Sequence, residues 1–177
     1  MKHLSISLNQ GLVAALVNFA VIVGCYLVNI GWMVEWWFGL STLAIIVVFM
    51  FLAGAAARKQ NGNVLSFGEA FVAVFLTAAV AQVASALLTW VLYTWIAPEL
   101  PATLSELTIA KTQEMLSNFG MDTATIEAQM DEIKAAMAEA YTLAGLAKSS
   151  AYGLAMWAFV SLIVAAIAKR KPTSEFA

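Results

Sequence analysis

The sequence predicts an all-α membrane protein with four transmembrane helices and an amphipathic helical hairpin inserted between the third and fourth spans. Three observations carry that expectation. Of 177 residues, 62% are hydrophobic and only 11% charged, where soluble domains are about a quarter charged. A soluble fold of this size leaves too much of its chain at the surface to hide so much apolar area, so lipid is the natural solvent. Four apolar blocks, about 11–30, 36–57, 70–96 and 143–168, each match the length that crosses a hydrocarbon core of roughly 30 Å. Between the last two blocks, residues of about 99–142 turn polar, acidic and helically periodic. The whole chain is expected to form one four-span membrane domain.

In order, a short polar stretch containing Lys2 precedes Gly11 to Ile30, the first span. A signal peptide would have a shorter apolar core and an A-x-A-like site after it, and neither is present. Ile22-Val23-Gly24-Cys25 has the look of a lipobox, but the sequence stays apolar after Cys25. A buried, inert thiol is the better reading. With one cysteine and one histidine (His3), an internal disulfide is excluded and a His-based site would need a partner chain. Gly31-Trp32-Met33-Val34-Glu35 is a link so short that the second span, from Trp36 to Ala57, must run antiparallel to the first. Trp32, Trp36 and Trp37 cluster there, as amphipathic rings do at a lipid–water boundary. Glu35 among them reads as a solvated carboxylate, or more sharply as a group that attracts an ion or partner.

Arg58 and Lys59 open the middle loop, which ends in Ser66 and Glu69. That pair fits a capping box at the start of the third span, where the helix dipole also favours Glu69. The span closes with Trp90, Tyr93 and Trp95, and Pro98 and Pro101 are expected to stop it. In the insertion, Thr103 and Glu106 fit a second capping box, Gly120 a helix C-terminal stop, and Asp122 or Thr123 the cap of a second helix. On that second helix Ile126, Met130, Ile133 and Met137 share one apolar face, a candidate partner face. Glu127, Asp131, Glu132, Lys134 and Glu139 lie opposite. Leu104, Leu107, Met115, Leu116 and Phe119 give the first helix a rougher stripe. The apolar faces are expected to pack on each other, on the membrane surface or on a partner. The fourth span can run on from the hairpin, with Lys148 snorkelling to the boundary.

Lys2, Arg58, Lys59, Lys169, Arg170 and Lys171 share one side of this topology, while eight of the eleven acidic residues fall between Glu99 and Glu139. Positive charge beside a span stays in the cytoplasm. Both termini are therefore expected to be cytoplasmic, with the hairpin of about 99–142 on the outer side.

Apart from the boundary Lys148, the expected spans hold no ionisable side chain except Cys25 and tyrosine. Ion-coupled pumps place charged or protonatable groups there. Asn18, Thr77, Gln82, Ser85 and Thr89 supply the polar groups instead. Thr77, Ala81, Ser85 and Thr89 recur every four residues, and Gly145, Ser149 and Gly153 do so on the fourth span. Small residues at that spacing let backbones approach, so helix packing is favoured over a cavity. Asp131 and Glu132 are adjacent, point in different directions and make no catalytic dyad. No phosphate loop, nucleophile motif or metal spacing is present. The expectation is a protein that is not an enzyme, has no cofactor, metal or nucleic-acid partner, and acts as a structural, assembly or interaction subunit. It would sit in the bilayer as a homo-oligomer or within a larger membrane complex. The alternative is an oligomeric channel or carrier for a small neutral solute. A weaker third reading is a sensor whose acidic hairpin binds cations or another ligand.

Ser66-Phe67-Gly68-Glu69-Ala70-Phe71 follows a basic loop containing Asn and Gly. Later come the Pro98-Glu99 break, an acidic helical insertion around Phe119-Gly120-Met121 with Glu127, and a closing span ending in Lys169-Arg170-Lys171-Pro172. In that order, from about Phe49 to Pro172, these stretches resemble the bacterial domain-of-unknown-function family numbered 4199. The resemblance implies a small multi-span inner-membrane protein of bacteria related to the Bacteroidota. It implies no known activity and therefore no catalytic residues.

Overall fold

The computed structural model describes residues 3–121 and 123–170. The expectations attached to Lys2, Asp122, Lys171 and Pro172 lie outside the described residues, as do the side chains of Thr123 and Glu127. The elements are α1 (Leu4–Val28), a 3-10 turn (Ile30–Val34), α2 (Trp36–Gln60), α3 (Phe67–Val91), a π-helical turn (Leu92–Ile96), α4 (Leu100–Asn118), α5 (Thr123–Ala140) and α6 (Leu143–Ala168). Among the described residues there is no strand, and Leu65 and Arg170 form an isolated antiparallel bridge. Helices α1, α2, α6 and the continuous run Phe67–Ile96 are long and apolar enough to cross a membrane. This is an all-α, multi-pass membrane protein whose hairpin, α4–α5, lies between the third and fourth spans.

Helix α3 is the centre of the bundle and packs on α1, α2 and α6. Its inward positions, Ala70, Ala73, Val74, Ala78 and Ala81, are fully buried. Lipid tails are as apolar as leucine, so helices associate in a bilayer through close packing, and small residues permit it. Gly11 marks the closest approach. A Cβ there would stand 2.7 Å from both the Thr77 carbonyl oxygen and the Val80 Cβ. Larger side chains such as Leu16, Leu52, Leu87 and Phe159 point outward, towards lipid.

Several boundaries differ from expectation, each for a physical reason. Helix α1 starts at Leu4, not Gly11, because its early polar groups find partners. Ser7 is fully buried and donates to the Ala73 carbonyl at 2.9 Å. Helix α2 continues to Gln60, placing Arg58 and Lys59 in its last turn, where the dipole favours cations. Pro98 does separate the helices, but Pro101 lies in the first turn of α4, where a missing N–H costs nothing. Thr103 is consequently inside α4 and is not its cap; its hydroxyl donates back to the Glu99 carbonyl at 3.1 Å. Helix α6 does not run on from α5. Thr142 caps it, accepting the Gly145 N–H at 3.0 Å. At the hairpin tip Gly120 adopts φ +75°. The Gly120 N–H donates to the Ser117 carbonyl at 2.9 Å and that of Met121 to Leu116 at 3.4 Å. That is the paired bonding of a helix stop in which only the left-handed residue must be glycine.

Candidate functional site

Polar groups within the spans are mostly absorbed by packing. Thr77 Oγ1 donates to the Ala73 carbonyl at 2.8 Å, the same oxygen that Ser7 reaches from α1. Gln82 Oε1 accepts the Trp157 indole N–H at 3.0 Å, joining α3 to α6. Gly153 makes room for that contact, since a Cβ there would lie 3.3 Å from the Gln82 amide carbon. Asn18 Nδ2 donates weakly, at 3.4 Å, to the Thr42 carbonyl, while Asn18 Oδ1 and Ser85 Oγ are buried without a hydrogen-bond partner. Thr89 is half-buried. Gly145 answers a local need rather than a helix crossing, because a Cβ there would meet the Glu139 carbonyl oxygen at 2.1 Å. Ser149 is exposed and donates to its own helix at Leu146. The structure thus brings Gln82 and Gly153 together and adds two residues the sequence reading passed over, Ser7 and Trp157. A tryptophan far from either boundary was the available signal, because a buried indole N–H needs an acceptor.

At the basic end, Ser66 and Glu69 form a reciprocal capping box. The Glu69 N–H donates to Ser66 Oγ at 3.3 Å, and Glu69 Oε2 accepts from the Ser66 amide at 3.0 Å. The Glu69 carboxylate is a cap that starts α3.

The opposite end carries the more specialised geometry. Leu92, Ala97, Leu100 and Leu104 are buried as an apolar plug, packed against Phe19, Tyr26, Ile30 and Met33. The π-helical turn, which widens a helix by one residue, buries Leu92 and sets Tyr93 against Tyr141, edge to face at 5.5 Å. Two polar clasps flank the plug. Tyr26 Oη donates to Glu99 Oε1 at 2.8 Å, and Lys111 on α4 pairs with Glu35 at the start of α2. Burial pushes the Tyr141 phenol above its ordinary pKa, partly countered by its side-chain hydrogen bond with Thr108. An open cleft of about 340 Å³ lies at this junction, lined by Thr94, Ser105 and Thr142 beside Tyr93, Tyr141 and Met137.

The two hairpin helices pack on each other. Ile126 and Met130 of α5 are buried, with Ile109 and Gln113 of α4 beside them. Ile133 and Met137 are half-buried, and Asp131, Glu132, Lys134 and Glu139 stay exposed. Lys148 reaches Glu139 at 3.7 Å, tying α6 to α5. Among the described residues, no three His, Cys, Asp or Glu side chains come together as a metal site would need. Chemically, the arrangement holds a charged helix face in place on a membrane bundle.

The model of a family described as a protein of unknown function, DUF4199, matches residues 9–170. The chain belongs to this family. The DUF4199 match takes in all four spans and the hairpin, so the hairpin is part of the family unit and not an appendage to it. It also reaches back through the first span, beyond the stretch from about Phe49 on which the motif resemblance rests. No curated protein and no solved structure matches the chain.

Proposed function

We propose that this DUF4199 protein is a non-enzymatic structural, assembly or interaction subunit of a bacterial inner membrane. In this reading the hairpin lies on the periplasmic side and offers the outer face of α5 to another protein, either a second copy or a different subunit. The observation that carries it is the docking of the hairpin on the bundle by the Leu92–Leu104 plug and two clasps. A fixed, charged face loses little conformational freedom on binding. Orientation rests on Arg58, Lys59, Lys169 and Arg170, which lie together at the opposite end of the bundle. The solute-pathway reading has less support, because Thr77 and Gln82 already hydrogen-bond inside the chain.

A photo-crosslinking residue at Glu132 or Gln129, both exposed, tests this in native membranes. The expected result is one discrete adduct, identified by mass spectrometry as this chain or another. Uncrosslinked monomer at every such position sinks the proposal. Labelling of Glu132→Cys, but not Lys59→Cys, by an impermeant maleimide on intact spheroplasts is expected; the reverse pattern overturns the orientation.

A further inference from the structure

The bundle-facing side of α4 continues past the bundle. At 3.6 residues per turn, Leu100, Leu104 and Lys111 fall within about 40° of one another around the helix. Leu100 and Leu104 are buried in the plug and Lys111 is held by Glu35, so that side of α4 faces the ends of α1 and α2. Met115 lies on the same side and Phe119 at its edge, about 80° round from Lys111. The opposite side, with Ile109 and Gln113, is occupied by α5. Yet Met115 is 50% exposed and Phe119 75% exposed. From Lys111 to Phe119 the helix advances about 12 Å, roughly one helix diameter. That is enough to carry its end beyond α2.

What lies under that overhang follows from depth. Glu35 immediately precedes α2, and its neighbour Trp36 is 75% exposed at the first turn of a membrane-spanning helix. Lys111 therefore pins α4 at the level where indole rings mark the lipid boundary. Trp32 and Trp37 stand at the same level, edge to face at 6.3 Å. Lys111, Glu114 and Asn118 border the apolar pair, a polar fringe suited to headgroups and unsuited to the hydrocarbon core. Beyond Gly120 the chain turns back and α5 covers the far side.

We propose that the free end of α4 rests on the bilayer as an interfacial foot, with Met115 and Phe119 inserted among lipid headgroups and upper acyl chains beside α2. The foot fixes the hairpin flat on the membrane, and its partner is the lipid surface itself. The geometry holds whichever leaflet the hairpin end faces.

Full-length protein labelled with an environment-sensitive fluorophore at Met115→Cys or Phe119→Cys, reconstituted in phosphatidylcholine vesicles, tests the foot, with Ser117→Cys, exposed on the other side of α4, as the aqueous reference. Cys25 is buried, and labelled wild-type protein measures its background. Probes at 115 and 119 are expected to emit to the blue of the reference. They should lose emission to lipids brominated on the upper acyl chain and resist iodide, with the reverse at 117. Should Phe119→Cys melt early, Asn118→Cys replaces it. Equal iodide quenching at 119 and 117 overturns the proposal, since the helix end then stands in water. Shielding that appears only as the protein-to-lipid ratio rises also overturns it, in favour of a second copy covering the face.

Discussion

The two ends of this bundle are closed by different chemistry. At the basic end much of the work falls to backbone groups and neighbours in sequence, beside one side-chain pair from afar, His3 and Gln60. The Leu65 N–H donates to the Arg170 carbonyl and the Arg170 N–H to Leu65, both at 2.9 Å. Gly62 and Asn63 take left-handed φ of 68° and 65° to bring the chain round, and Ser66 caps α3 three residues later. At the hairpin end the closure is made by side chains distant in sequence: Leu100 and Leu104 against α1, Tyr26 on Glu99, Lys111 on Glu35. Backbone bridges tolerate substitution because any residue but proline supplies them. Side-chain clasps do not. The hairpin end is therefore where sequence changes within the fold can alter how firmly the hairpin is held, and where opening short of global unfolding should begin.

Two buried leucines give the sharpest contrast. Leu65 and Leu100 are both essentially inaccessible, so truncating either to alanine is expected to cost about 2–5 kcal/mol. In Leu100→Ala the first turns of α4 should lose hydrogen-exchange protection and the Gly120 turn should become a protease site, with the spans intact. In Leu65→Ala the amides of residues 65 and 170 should stay protected, because their two bonds do not involve the side chain. Equal loss of protection at both sites would show that the two ends are closed alike.

The caps are next, at about 1 kcal/mol each. Ser66→Ala should lower the melting temperature through α3, while Thr142→Ala should loosen only the α5–α6 junction. Glu69→Gln is expected to change stability by a few tenths of a kcal/mol, as glutamine also serves at that capping position. Thermal melts of the three variants in one detergent check the order Ser66→Ala above Glu69→Gln.

The same division governs what the sequence reveals. The spans were legible because apolar length is a property of contiguous residues, and the Ser66 cap and Gly120 stop because their bonds close within five residues. Where a partner lay far along the chain, reading failed. Ser7 looks unsuited to a span, and its partner there, the Ala73 carbonyl on α3, lies 66 residues away. Gln82 was legible as a polar group within the third span, but not its partner, since Trp157 is 75 residues away. At Thr103 two local rules competed, and proline's fitness for a first helical turn prevailed over a capping-box match. The plug was invisible for a different reason, since Leu100 and Leu104 become a site only when α4 folds against the Ile30–Val34 turn that follows α1.

The Lys111–Glu35 clasp should contribute less than either cap. Both side chains remain more than a third exposed, at 42% and 34%, so solvent screening limits the pair to between about 0 and 1 kcal/mol. A double-mutant cycle with Lys111→Met and Glu35→Gln measures it. A coupling well above that range would show the hairpin held by charge more than by the plug.

The smallest effect at neutral pH belongs to Tyr141, and it becomes visible only in alkali. Burial raises its pKa above the ordinary value of 10.0, and the Thr108 hydrogen bond only partly offsets this. The neutral phenol is thus favoured by folding. That contribution is complete below pH of about 10, the unfolded value, and drains away as pH climbs towards the higher folded one. Tyr141→Phe isolates this contribution, because it cannot ionise yet keeps the ring against Tyr93. Hydrogen exchange in α4 and α5, followed with phenolate absorbance, should show the hairpin of Tyr141→Phe surviving to higher pH than that of the wild type. The basic end, closed without any tyrosine, should show no difference between the two. If both proteins release the hairpin at the same pH, the Tyr93–Tyr141 contact is incidental to docking, and the plug with Lys111 holds it alone.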